Sequence, residues 1–372
     1  MFALPALGDL YQRTIGAFRA YANLDASLPL NNVQPTAKVI AGRDFEIFGR
    51  MDYVGQQAFV LYADEIWLPR HAEQYNMPRK PAALATGRVG VVSPADILVP
   101  AGTLLTRADG VQYAAAADFS LAAAGTLLVS VVAQATGAIG NTDAGTILTI
   151  GSGPTGNGAA TATASVAAGG VIGGLDIEDL EAWRDRILFR LRYPPHGGAA
   201  SDYVIWGRAV AGVTRVFVER LYRGPGTVRV FPIFDDLFAT TGGVATDPYI
   251  EAVGAAIAAQ EPATAFVTVS APTPQPIDIV ATGVAPYTTS VKQAIVDELL
   301  DMMRRLGAVA GSDTATPSMP FLASPQVFSR SWIWQAIANA SGEQRHVLAL
   351  PSADIPIAPG AIPVLGSVDL QP

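Results

Sequence analysis

Cysteine is absent from the 372 residues, which excludes disulfides, thiol nucleophiles and thiolate-held metals. Histidine is nearly as scarce. His71, His196 and His346 stand far apart and begin no ligand spacing, so separate loop or helix-end roles suit them better than a shared centre. Charged residues make up 15% of the chain, against about 25% in ordinary globular proteins. The net charge of −8 is spread out, and the 24 basic residues form no stripe, which argues against a nucleic-acid partner. Long apolar runs are also missing. The weakly polar stretch 114–140 is rich in Ala and Gly, carries Asp118 and lacks the unbroken apolar block of a membrane helix. The opening MFALPALGDLYQRTIGAF is interrupted by Pro5, Asp9 and Arg13 and does not read as a secretory signal.

What is present is a chain that is 50% apolar, with 36 Gly and 27 Pro, long enough for two or three domains. So little charge on so large a chain fits a surface partly covered by other molecules. The periodicities predict a multidomain α+β protein. Residues 1–82 read as an N-terminal helical region, with a helix over 10–23 and a second helical stretch over 58–76 that Pro69 interrupts. Residues 83–170 switch to short β-branched runs separated by Pro-Ala, Ala-Gly-Thr and Asp-Gly turns, the pattern of a small antiparallel β domain. The phrase Ala-Gly-Thr recurs at 101–103, 124–126 and 144–146, each time supplying a Gly for a turn and a Thr for the start of a strand. Residues 151–170, with no large core side chain, read as a Gly/Ala-rich arm.

Residues 171–285 predict a central α+β unit and 286–372 a C-terminal α+β docking region. In the helix over 175–192 the expected stripe is Ile177, Leu180, Ile187 and Leu191, flanked by Trp183 and Leu188, with Arg184 and Arg186 mostly off it and Asp176 and Asp179 at the start. A second helix covers 201–212, and a third opens at Asp247-Pro248. The best-formed helix spans 289–307, with a capping box of Ser290 and Gln293, an apolar stripe from Val291 to Leu306, and Gly307 at its end. The prolines of the tail, from 350 onward, mark edge or docking strands.

Chemistry has few footholds. GSGPTG at 151–156 looks like a phosphate loop but lacks the following Lys-Ser/Thr and the strand-loop-helix setting. Asp235 and Asp236, like Asp64 and Glu65, are adjacent carboxylates better explained as solvated residues than as a shared site. The aromatic residues are more informative. Trp183, Trp206, Trp332, Trp334 and Tyr203 fall on helical stretches that must bury something, in a core, at a subunit interface or on a ligand, and Trp332 and Trp334, two apart, cannot share one helix face. Together with Arg184 and Arg186 these are the interface candidates. No catalytic, cofactor-binding or metal-ligating set is expected.

The order of phrases PAALATGRVGVV, ILVPAGTLLTRADGVQYA, AQATGAIGNTDAGTILTI, VIGGLDIEDLEAWRDRILFRLRYPPHGGAASDYVIWGRAVAGVTRVFVE and RGPGTVRVF resembles the baseplate J-like family of phage tail proteins. The matching residues are Gly137, Gly140, Asn141, Ala144, Gly145 and Thr146; then Gly173, Gly174, Asp176, Glu178, Glu181, Arg184 and Arg186; then Gly197, Gly198, Asp202 and Tyr203; and Gly224, Pro225, Gly226 and Thr227. The resemblance runs from about 80 to 285. It implies a non-enzymatic subunit of a baseplate wedge without cofactors, assembled in the host cytoplasm into the virion tail. Such a subunit joins neighbouring copies of itself and other wedge proteins into a ring around the hub, and relays the rearrangement that follows host attachment. By the same likeness the N-terminal helices help form the wedge core and the C-terminal unit contacts a neighbouring copy. The alternative reading is a virion-attached carbohydrate-binding or depolymerising module, which would need a cleft with paired carboxylates.

Overall fold

The computed structural model describes residues 4–22 and 32–372. The chain forms two compact units, one of Met1–Arg79 with Asp179–Leu188, the other of Lys80–Glu178 with Phe189–Pro372.

The first unit is helical. Its helices are α1 (Leu7–Ala22), α2 (Val33–Gln57), the short α3 (Leu68–Gln74) and the first nine residues of α4 (Leu180–Arg192). The helix expected over 10–23 is α1, residue 23 lying outside the described residues. Leu10 and Ile15 are buried, and Ile15 packs against Ala37 of α2. The stretch 58–76 behaves differently from its helical reading. Residues 58–67 are turns, and Pro69 sits in the first turn of α3, where its missing N–H removes no helical hydrogen bond, so it opens a helix instead of interrupting one. Helix α4 also departs from expectation. Ile177 precedes the helix and is exposed, as is Leu191; the buried side is Trp183 and Ile187, one turn apart, with Arg184 and Arg186. Asp179 alone caps this helix, accepting from the amides of Glu181 at 2.8 Å and Ala182 at 3.2 Å.

The second unit begins with strands β1 (Leu84–Ser93), β2 (Ile97–Val99), β3 (Leu104–Thr106), β4 (Gln112–Ala115), β5 (Phe119–Leu121), β6 (Gly125–Thr136), β7 (Ile147–Ile150) and β8 (Thr163–Ile172). Six of them close into a barrel in the order β1-β6-β4-β3-β7-β8, and β2 and β5 pair separately. Val89, Val91, Leu105, Tyr113, Val129, Val131 and Leu148 fill the interior. Two Ala-Gly-Thr phrases build the same corner. Gly102 and Gly145 take positive φ of 79° and 83°, and the hydroxyls of Thr103 and Thr146 donate back to the carbonyls of Pro100 at 2.7 Å and Asp143 at 2.8 Å. Their strands, β3 and β7, then pair with each other. The third phrase differs, because Gly125 already lies in β6. The arm expected over 151–170 is only half an arm. Its second half is β8, which bonds to both β1 and β7 and closes the barrel, with Ala164, Val166 and Val171 turned inward. Small residues suffice there because two neighbouring strands, not a large side chain, hold the segment.

Next come α5 (Ala200–Arg208), β9 (Arg215–Arg220), β10 (Thr227–Ile233), α6 (Asp247–Ala258) and β11 (Phe266–Val269). The sheet order is β11-β10-β9, antiparallel between β9 and β10 and parallel between β10 and β11, so this sheet is mixed. Pro248 lies in the first turn of α6, and Ile250, Val253 and Ile257 face the core as its periodicity predicts.

The remainder is β12 (Thr273–Ala285), α7 (Thr289–Leu306), β13 (Gln326–Phe328), α8 (Arg330–Asn339), β14 (Arg345–Leu350), β15 (Ile355–Ile357) and β16 (Ala361–Leu370). Strand β12 follows β11 after three residues yet becomes the centre of a separate β14-β12-β16 sheet. The proline-bearing β16 is an edge strand, as the tail composition predicts. In α7 the stripe Val291, Ile295, Leu299, Met302 and Met303 is buried, but the cap is the Thr288 hydroxyl, which accepts from the Val291 amide at 3.3 Å; Gln293 bonds to Asp297 and takes no part in a capping box.

Candidate functional site

The polar residues singled out by the sequence are brought together as backbone clasps. Asn141 follows the turn after β6 and exchanges two hydrogen bonds with Gly174, while Asp176 accepts from the Ala138 amide at 3.1 Å. Arg107 reaches the same turn. Its guanidinium donates to the carbonyls of Asn141 at 2.7 Å and Ile139 at 3.0 Å and to the Thr142 hydroxyl at 2.5 Å, while Tyr113 bonds to that hydroxyl and to the Gly140 carbonyl. The remaining Arg107 N–H groups grip Asp109 at 2.6 and 2.8 Å, a charge-assisted pair that lowers the exposed Asp109 carboxyl to about 2.

Asp202 is fully buried in the first turn of α5. Its carboxylate accepts from the amides of Gly198 at 2.7 Å, Ala199 at 3.0 Å and His196 at 3.1 Å, folding the Pro-Pro-His-Gly-Gly turn around one charge. Tyr203 beside it packs edge-to-face on Trp206, with ring centroids 5.0 Å apart. Both rings are buried, as is Trp183, whose indole N–H donates to the Met77 carbonyl at 2.8 Å. Arg184 donates to the carbonyls of Val60 at 2.5 Å and Ala63 at 2.7 Å, and Arg186 to that of Pro78 at 2.8 Å. Five of the seven interface candidates therefore spend most of their surface inside their own units. Trp332 is half-buried, edge-on to Phe328 at 5.3 Å. Trp334 is 50% exposed and is the outward member of the pair.

The adjacent carboxylates separate in the same way. Asp235 is buried and doubly bonded to Arg215, a correction to its reading as solvated, whereas Asp236 is exposed and meets Arg304. Asp64 accepts from the Tyr53 hydroxyl and from the Ile66 and Trp67 amides; the Tyr53 hydrogen bond is the main reason its carboxyl lies below the ordinary range. Glu219 is buried in the second unit. Burial pushes its carboxyl up, but the Ser312 amide and hydroxyl and the Arg229 guanidinium outweigh burial and hold it low. Nothing local in Val-Glu-Arg announces that role, since the partners lie 10 and 93 positions away. His71 bonds to the Gln57 carbonyl, His196 is exposed and His346 pairs with Glu343. Among the described residues no three His, Asp or Glu side chains converge as a metal would require, and no helix is long and apolar enough to cross a membrane.

What the first unit presents instead is an uncovered apolar surface. Along α2, Ile40, Ile47, Met51 and Val54 are exposed at spacings of seven, four and three, the rhythm of a helix seam that packs on another helix. Ala37 and Ala41 are buried, Ala37 against Ile15 of α1, while among the described residues the stripe remains exposed. Phe59, Leu61, Tyr62 and Ile66 extend the apolar surface onto the following turns, with Phe59 64% and Ile66 71% exposed. A hollow of about 760 Å³, lined mainly by Leu4, Pro5, Phe48, Met51, Phe59 and Tyr62, with Arg13 and Asp52 at hand, is part of it. The sequence signal was the seven-residue spacing within 33–57, obscured by the charged and polar residues between.

Comparison with known proteins gives consistent matches. The barrel corresponds to the Baseplate J-like protein barrel domain over residues 85–170, and the following unit to the Baseplate J-like central domain over residues 195–271. The chain is 31% identical over 320 residues to Baseplate protein gp47 of Escherichia phage Mu, covering 81% of this chain and 84% of that protein. It is 30% identical to the Mu-like prophage FluMu protein gp47 of Haemophilus influenzae, with 86% of each chain covered, and 32% identical to Putative protein JayE of Escherichia coli K12, covering 73% of this chain and 94% of that one. A chain of the anti-feeding prophage baseplate shows a structural likeness at 12% identity and a TM-score of 0.40, over 98% of this chain and 90% of that one.

Proposed function

Because this chain belongs to the baseplate J-like family of phage tail proteins, we propose that it is a structural subunit of the baseplate wedge, built into the virion tail in the host cytoplasm and working without catalysis. In this reading it joins neighbouring copies and other wedge and hub proteins into a ring, through different faces on each copy, as a closed ring with a head-to-tail interface requires. Rearrangement on host attachment is then a change between two packings of subunits.

The observation that carries the proposal is the uncovered α2 seam. The stripe leaves Ile40, Ile47, Met51 and Val54 exposed at coiled-coil spacing, and burying them on a partner helix recovers about 25 cal/mol per Å² of apolar surface. The partner is a helix of another wedge component or another copy, and the exposed apolar turns at 59–66 extend the contact. Two of the named relatives are a baseplate protein and a Mu-like prophage protein, which supports the setting.

The test is incorporation. An Ile47→Asp, Met51→Asp double variant keeps its circular dichroism and thermal midpoint, because neither side chain supports the monomer core, yet its yield in purified particles falls by about tenfold or more. Incorporation at the level of the unaltered chain overturns the proposal.

A further inference from the structure

The β11-β10-β9 sheet of the second unit has one edge taken and one open. On β9 the Val218 amide donates to the Phe321 carbonyl and the Val218 carbonyl accepts from the Ala323 amide, so a later piece of the chain already lies along that edge. At the other end of the sheet stands β11, whose flanking amides, Phe266 and Ser270, donate toward β10, to the carbonyls of Gly226 and Val230. Backbone groups alternate sides along a strand, so those of Val267 and Val269 point away from β10, and among the described residues no hydrogen bond takes them up. Natural edge strands are commonly blunted by lysine, proline or a bulge; Phe-Val-Thr-Val carries none of these and has only its short length.

Beside this edge a hollow of about 210 Å³ lies between β11 and α6, its lining including Glu251, Gly254, Ala258, Glu261, Val267 and Val269. Helix α6 is the crossover between the parallel strands β10 and β11, so it runs opposite to β11, and Glu251, Gly254 and Ala258, at spacings of three and four, share one of its faces. A Cβ on Gly254 would meet nothing within 4 Å, so the helix side of the hollow is open. Glu251 and Glu261 stand at the two ends of this lining, and neither carboxylate has an ion pair or hydrogen bond among the described residues. From one to the other the chain rises about 15 Å at helical pitch, which about four to five residues of extended strand match.

We propose that the groove between β11 and α6 receives an extended segment of another baseplate component, which adds to the sheet as one more strand. The backbone groups of Val267 and Val269 supply the ladder. An apolar side chain of the incoming strand fills the space beside Gly254, and Lys or Arg two positions before and after it, on the same face, meet Glu251 and Glu261. The occupant is therefore a strand of the pattern basic-x-apolar-x-basic. The β11 of a second copy does not fit, because it has no basic residue and would bring the carboxylates of both copies together. The inference rests on the chain's place in a baseplate but not on the α2 seam.

Hydrogen exchange over 266–270 is compared between the isolated full-length chain and purified particles. Expected are freely exchanging Val267 and Val269 amides in the isolated chain and exchange slower by about tenfold or more in particles. In a second arm, Glu251→Lys with Glu261→Lys, and separately Gly254→Leu, keep the isolated chain folded, as its thermal midpoint shows, and lower incorporation by about tenfold. Exchange over 266–270 that is the same in particles as in the isolated chain overturns the proposal; if 40–54 is protected there, the α2 reading stands without it. Protection that grows with the concentration of the isolated chain marks a second copy as the occupant and also overturns it, as does normal incorporation of the charge-reversed chain. A chain missing from particles overturns both readings. If a variant does not fold, the exchange comparison on the unaltered chain decides.

Discussion

The side chain of Asn141 and the backbone of Gly174 are bonded twice, Asn141 Nδ2 donating to the Gly174 carbonyl at 2.9 Å and the Gly174 amide donating to Asn141 Oδ1 at 2.8 Å. The amide of one side chain thus imitates a strand partner and fixes the chain where it leaves the barrel. Gly174 has to be glycine, because a Cβ there would lie 2.4 Å from the Gly137 carbonyl oxygen.

Asn141→Ala removes both bonds and leaves two backbone groups short of partners. Stability falls by about 2 kcal/mol. Chemical denaturation followed by circular dichroism checks this, and Gly174→Ala is the more damaging change because the obstacle is backbone. An Asn141→Ala chain as stable as the original shows that the clasp contributes nothing.

Arg184 holds two buried carbonyls of the segment 60–63. Arg184→Met keeps much of the aliphatic packing but orphans both oxygens, at a cost of about 3 kcal/mol. Limited proteolysis should then cut within 58–79 well before the second unit is attacked. Unchanged protection of that segment contradicts the assignment.

Acid should loosen the Arg107 turn in a defined window. The Asp109 carboxyl is lowered in the folded chain to about 2 from an ordinary value of 3.8, so the unfolded chain binds the proton more readily. Its contribution is complete above about pH 4 and is lost as pH falls toward about 2. Asp109→Asn removes this part of the pH dependence, which thermal midpoints across that interval measure. Since the carboxyl is exposed, the effect is small and screened by salt.

The two tryptophans of α8 separate stability from assembly. Trp332 packs on Phe328 and the C-terminal core, so Trp332→Ala lowers stability by about 3 kcal/mol. Trp334→Ala changes stability much less but should weaken contacts with neighbouring subunits, as particle yield would reveal. Normal particle yield with Trp334→Ala removes that residue from the interface candidates, which then have no outward-facing tryptophan.

Most of the helices and strands were readable because their signals are local. The stripe of α7, the Pro248 start of α6 and the Gly-Thr corners at 102–103 and 145–146 depend on spacings of two to four residues. The differences have two causes. Thr288 caps α7 in place of Ser290, and Asp179 caps α4 without Asp176, because the geometry of one turn chooses among neighbouring candidates. Residues 163–172 became a strand through the hydrogen bonds of β1 and β7, which no composition of small residues announces.

By itself the sequence determined the elements, the absence of thiol chemistry and the order of motifs that marks the family, all of which are properties of residue type and short spacing. Only tertiary structure decided that the motif residues are fasteners turned inward, with Asp202 and Arg184 holding backbone groups, while the α2 seam and Trp334 face outward. The physical reason is that an amphipathic stripe has the same periodicity whether its partner lies in the same chain or in another molecule, and only the packed unit shows which apolar surface is left uncovered.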